Sequence, residues 1–204
     1  MDRLRLPAWV AVVAIAGLPA VLAAVSPLQR GREALWVIGG MAGVLAFSLL
    51  FVQPVLMARV PRLLAPAAAL RWHRRVGSCA IALVLLHVGA LYAYSPDDVR
   101  DALLLVSPTP FSVYGVIGLV GIVGTAVLVV LRRAWPSAAM RTWRLFHSLL
   151  AIVIVTAGAV HALMIEGTME DRTKLVLCVA AVVAVLVSAW QVNMRPGLRG
   201  GARG

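Results

Sequence analysis

Six stretches of the chain are apolar over the length a helix needs to cross a lipid bilayer, about 20 residues. They cover residues 6–25, 34–58, 76–96, 111–131, 145–165 and 175–194, and none contains Asp, Glu, Lys or Arg. Gln53 and Pro54 are the main interruption of the second stretch. Polar residues collect in short segments between the stretches. The pattern predicts an all-α integral membrane protein, a six-helix transmembrane bundle over residues 1–194. A Gly/Arg-rich tail, residues 195–204, follows it and is expected to fray. The first stretch has two features of a cleavable signal, the basic start MDRLR and Ala23-Ala24 near its end. Its apolar core is long for one, and keeping it as a span gives a consistent topology.

Composition agrees with the pattern. Hydrophobic residues make up 62% of the 204 residues and charged residues 13%, against about 45–50% and about 25% in soluble domains. Mean hydropathy is +0.94. A soluble fold of this size exposes too much surface to hide that much apolar area, and a disordered chain is too polar to match it.

The net charge of +11 invites a nucleic-acid partner, but the basic residues lie in short clusters between apolar runs, as in loops at a membrane face. One alternate set of connecting segments carries Arg3, Arg5, Arg59, Arg62, Arg71, Arg74, Arg75, Arg132, Arg133, Arg141, Arg144, Arg195, Arg199 and Arg203. The other set carries Arg30, Arg32, Arg100, Arg172 and Lys174, together with every acid except Asp2. The positive-inside rule then puts both termini in the cytoplasm and the protein in the cell (plasma or inner) membrane. No nucleic acid is expected as a partner. The longest cytoplasmic connection runs from Arg59 to Arg75, broken by Pro61 and Pro66. The outer connections at 96–110 and 166–174 are short and acidic. No glycine-rich dinucleotide fingerprint and no P-loop is present.

Glycines recur at 115, 118, 121 and 124, and at 39, 40 and 43. Close packing of membrane helices explains them. A cofactor wedged against a bare helix face would use the same residues, and the sequence does not separate the two. Cys79 and Cys178 fall in apolar runs and form no metal-ligand spacing, so both read as small buried packing residues.

The four histidines carry the chemistry. His73 and His87 are 14 residues apart, and so are His147 and His161. Fourteen residues of α-helix rise about 21 Å and turn about 1400°, four turns less about 40°. Each pair therefore shares a helix face near opposite sides of the hydrocarbon core. The third and fifth spans run the same way, so neighbouring helices would set His73 beside His147 and His87 beside His161. Each cross-helix pair can clamp one flat metal macrocycle, with haem iron the expected metal. Zinc or copper would call for carboxylates, cysteines or closer histidines. A proton relay would call for intramembrane Asp or Glu.

Arg71, Arg75 and Arg144 flank the first histidine of each pair and suit haem propionates, although membrane anchoring explains such arginines too. Trp72, Trp143, Tyr92, Tyr94, Phe111 and Tyr114 read as interfacial belt residues. Gly77 and Gly158 lie close enough to His73 and His161 to make room for a porphyrin face.

The segments RWHRRVGSCAIALVLLHVGALY (71–92) and WRLFHSLLAIVIVTAGAVHALM (143–164) resemble the paired haem helices of ferric reductase-like transmembrane domains. That superfamily includes ferric reductases, NADPH oxidases and the haem-binding membrane subunit of the periplasmic methionine-sulfoxide reductase system. The resemblance implies two b-type haems, an inner one on His73 and His147 and an outer one on His87 and His161. It implies single-electron transfer from a cytoplasmic flavoprotein or ferredoxin-type donor to an outer acceptor protein or ferric iron. The chain reaches only about ten residues past its sixth span, so any flavin is expected on a partner. The protein then reads as the electron-transfer component of an oxidoreductase, with no nucleotide-binding domain of its own. Two readings stand beside this one. One is the membrane subunit of a two-component periplasmic reductase such as methionine-sulfoxide reductase. The other is a non-redox small transporter or scaffold.

Overall fold

The computed structural model describes residues 5–58, 63–136 and 139–193. Its long helices are α1 (Arg5–Ala24), α2 (Ala34–Met57), α3 (Pro66–Tyr94), α5 (Pro110–Val130), α6 (Met140–Met164) and α7 (Asp171–Asn193). Between α3 and α5 lies the short α4 (Pro96–Leu103), and 3-10 turns occupy Pro27–Gln29 and Leu131–Ala134. No strand occurs among the described residues. The six long helices are each long and apolar enough to cross a membrane, which makes this a multi-pass membrane protein.

Helix ends depart from expectation in three places. Helix α3 starts at Pro66, ten residues before its apolar run. Proline suits the first turn of a helix because its missing N–H has no partner there. Pro66 thus opens a helix instead of breaking a loop, and Arg71, His73, Arg74 and Arg75 are helical. Residues 96–103, expected as plain connection, form α4, with Asp97 and Asp98 in its first turn, where the helix dipole favours acids. Helix α7 starts at Asp171, so Lys174 is helical. It is also buried, with its Nζ donating to Ile165 O at 2.8 Å and paired with Asp171 at 3.0 Å. Arg3, Arg59, Pro61, Arg62, Arg195, Arg199 and Arg203 lie outside the described residues, as does the tail at 195–204.

Helix α3 packs along α2, and α6 packs between α5 and α7. Helix α7 also meets α2, and α1 leans on α2 and α7. The core is built from Ala23, Phe47, Phe51, Val155, Ala159, Leu177 and Ala181. Small residues there let the backbones approach without a solvent-driven hydrophobic force. Leu85 and Leu86 on α3 and Val120 and Val123 on α5 face outward, as a lipid-facing surface requires. Helices α3 and α6 are not among the closely packed pairs. They stand apart across the bundle, and their histidines point into the gap.

Candidate functional site

Each α3 histidine meets one from α6 across that gap. The ring centroids of His73 and His147 are 6.1 Å apart, and those of His87 and His161 are 6.4 Å apart. Two imidazole nitrogens on opposite sides of one metal ion, each about 2 Å from it, would set their ring centroids roughly 6 Å apart. Both predicted pairs are therefore brought together at a separation that suits a shared metal.

The ring nitrogens are sorted by the neighbouring helices. A carbonyl oxygen can only accept, so a ring nitrogen bonded to one must carry the proton. His87 Nδ1–H donates to Gly39 O on α2 at 2.7 Å. His161 Nδ1–H donates to Phe111 O on α5 at 2.8 Å. His73 Nδ1–H donates to Gln53 O on α2 at 3.3 Å. In each of these rings Nε2 keeps its lone pair, the arrangement that prepares a histidine to bind a metal. His147 differs, because its Nδ1 is buried and has no hydrogen-bond partner among the described residues.

Two of the glycines exist for these rings. A Cβ on Gly43 would lie 2.9 Å from His87 Nδ1, and one on Gly115 would lie 2.9 Å from His161 Nδ1. Others serve packing: Gly39 receives Leu91, and Gly121 receives Ile154. Gly77 and Gly158 were expected beside a porphyrin, and Gly158 lines the cavity around His87 and His161. Gly77 receives the Gln53 amide and Gly158 the Phe47 ring.

A cavity of about 780 Å³ opens around the second pair, within the usual range of roughly 300–1,000 Å³ for small-molecule and cofactor sites. His87, His161, Phe47, Leu91 and Ile154 line it. Helix α4 closes one side with Val99, Ala102 and Leu103.

Several site residues were not foreseen. Gln53 Nε2 donates to His73 O at 2.9 Å, tying α2 to α3 beside the first pair. Trp143, expected as a belt residue, stacks on His147 with centroids 5.2 Å apart and planes 7° apart. Its Nε1–H donates to Leu128 O at 3.1 Å, and the Arg132 guanidinium lies over its ring, 5.0 Å from the centroid. Phe111, also expected in the belt, sets its ring edge-on to His161 at 5.9 Å. Arg71, Arg75 and Arg144 are exposed, and Arg75 lies over the Trp72 ring. Cys178 is buried as expected, but Cys79 is on an exposed face of α3.

No curated protein and no solved structure matches this chain. Residues 42–164, which run from within α2 to the end of α6 and include all four histidines, match the family described as ferric reductase like transmembrane component. The chain belongs to the ferric reductase-like transmembrane family.

Proposed function

We propose that this protein is a di-haem b-type electron-transfer protein of the cell membrane. It passes single electrons from a cytoplasmic donor to an acceptor on the outer side. The observation that carries the reading is the pair of imidazole clamps, at 6.1 and 6.4 Å between centroids, in helices that leave a gap. The two levels are about 21 Å apart along the helices, which divides the roughly 30 Å hydrocarbon core into shorter steps. Haem would supply the reversible one-electron chemistry.

The chain's own residues do the rest. His73 and His147 would hold the inner haem, and His87 and His161 the outer one. Gly39, Gln53 and Phe111 fix three imidazoles through their carbonyls. Gly43 and Gly115 leave the rings room to stand upright. Leu91, Phe47 and Ile154 give the outer site apolar walls. Two histidines per iron leave no open position, so substrate would not bind the metal directly.

The arginine-rich side faces the cytoplasm on this reading, with Arg71, Arg75 and Arg144 near the inner haem. That surface suits an acidic flavoprotein or ferredoxin-type donor. A transporter would need Gln53, the polar break of α2, to line a pathway. Its amide instead holds α3, which supports the redox reading.

The test is haem content and reduced-minus-oxidised spectra of the purified chain. About two low-spin b haems per chain are expected. His87→Ala or His161→Ala should remove one and leave the other. Spectra unchanged by both substitutions would sink the assignment.

A further inference from the structure

The four imidazoles sit in two helical hairpins that share one register. In the first, α3 runs antiparallel to α2. His87 Nδ1–H uses Gly39 O; His73, 14 residues earlier on α3, uses Gln53 O, 14 residues later on α2. Antiparallel helices of equal rise keep pace in this way. In the second, α6 runs antiparallel to α5, and His161 Nδ1–H uses Phe111 O. Fourteen residues back along α6 is His147, and 14 forward along α5 is Thr125.

Two markers fix the same register. Gly43 and Gly115 each lie four residues after the accepting carbonyl, and each faces the ring that carbonyl holds. Trp143, one turn before His147, reaches Leu128 O, three residues beyond Thr125. At this fourth corner the pattern stops. His147 Nδ1 and Thr125 Oγ1 are both buried, and neither has a hydrogen-bond partner among the described residues. Buried polar groups are seldom left so, and these two orphans stand at matched positions on packed helices.

We propose that the Thr125 hydroxyl accepts the His147 Nδ1–H when the His73/His147 site is filled, making Thr125 the positioning residue for the fourth ligand. This rests on the two-haem reading. A threonine hydroxyl has one hydrogen and two lone pairs. In this structure that hydrogen reaches no acceptor among the described residues, and rotation of the side chain would turn it to the carbonyl one turn back, Gly121 O. A lone pair then remains for His147. The other three rings use a backbone carbonyl, which no substitution removes. Only the His147 ring would be held by a side chain.

The test uses the full-length chain loaded with haem. Wild type, Thr125→Val and Thr125→Ser are compared by redox titration, low-spin EPR and haem count. Removing an acceptor from Nδ1–H weakens the imidazole as a donor to iron, which favours the reduced state. Thr125→Val should move one b component to higher potential and shift its g values. Thr125→Ser should leave both components as in wild type. The same shift should persist with His161→Ala, which removes the other site. If Thr125→Val titrates as wild type, the proposal fails. It also fails if Val and Ser behave alike, whether both shift or both lose haem, since the methyl group would then be what matters. A wild-type chain without haem would overturn the two-haem reading and this proposal with it.

Discussion

The imidazole of His87 stands in space that Gly43 leaves free: a Cβ there would lie 2.9 Å from Nδ1. Gly115 and His161 repeat the relationship at 2.9 Å. A methyl at either glycine must displace the ring or push α2 from α3, or α5 from α6. Overpacking of this kind costs about 1–3 kcal/mol. Gly43→Ala and Gly115→Ala should each weaken haem retention at the His87/His161 site and spare the other. Gly89→Ala, with nothing within 4 Å, should change nothing. Haem count after detergent dilution reads the difference, and equal retention in all three would refute the steric role.

The Gln53 amide joins α2 to α3 through His73 O and fills the space over Gly77. Gln53→Leu keeps much of the volume and leaves the amide bond unmade. A net hydrogen bond of this type is worth about 0.5–1.5 kcal/mol. The expected result is a small fall in melting temperature, with faster haem loss from the His73/His147 site than from the other. Faster loss from the His87/His161 site would contradict the placement.

The spans and the histidine pairs were legible because each rests on a one-dimensional signal. Hydropathy marks the helices, and the repeated interval of 14 puts His73 with His87, and His147 with His161, on one face. The supporting residues were not legible in the same way. The carbonyls of Gly39, Gln53 and Phe111 hold the rings, and a backbone acceptor leaves no mark on residue type. Gly43 could be told from Gly39 only once the packed helices showed which one faced a ring. Trp143 beside Arg144 looked like an interfacial residue, because its contact with His147 lies one helical turn away and depends on rotamer. Arg71, Arg75 and Arg144 were singled out for nearness in sequence, and the structure leaves all three exposed. Helix α4 is too short for hydropathy to register.

Lys174 Nζ donates to Ile165 O at the end of α6, four residues beyond His161. Asp171, its ion-pair partner, is 92% exposed. The carbonyl contact is the one shielded from water, so it should matter more than the ion pair. Lys174→Met strands that carbonyl, at a cost of about 1–3 kcal/mol, and should lower the melting temperature by several degrees. Asp171→Asn should be close to neutral. Equal effects would show that the ion pair matters as much as the cap.

Trp143 lies flat against His147 at 5.2 Å and 7°, the only aromatic stack on any of the four rings among the described residues. It also spends its N–H on Leu128 O. Trp143→Phe keeps a stacking face and loses that bond, whereas Trp143→Ala loses both. Stacked aromatic pairs are worth about 0.5–1.5 kcal/mol beyond burial. Haem loss from the His73/His147 site should rank Ala above Phe above wild type. If Phe matched Ala, the hydrogen bond rather than the stack would orient the ring.

Cofactor removal tests the gap itself. Helices α3 and α6 are not a packed pair, while α1, α2, α6 and α7 share a core of their own. The chain without haem should therefore keep its helices and this core, and lose only the bridge between α3 and α6. A ligand at about 1,000 times its Kd adds roughly 4 kcal/mol of stability, which for a chain of this size raises Tm by roughly 10 °C. Far-UV circular dichroism of the apo and haem-loaded protein should be alike at low temperature, and their melting curves should separate. Cleavage by a protease in the 95–110 connection should be faster in the apo form, since α4 lines the cavity. Coincident melting curves would mean that the gap between α3 and α6 is already satisfied without a cofactor.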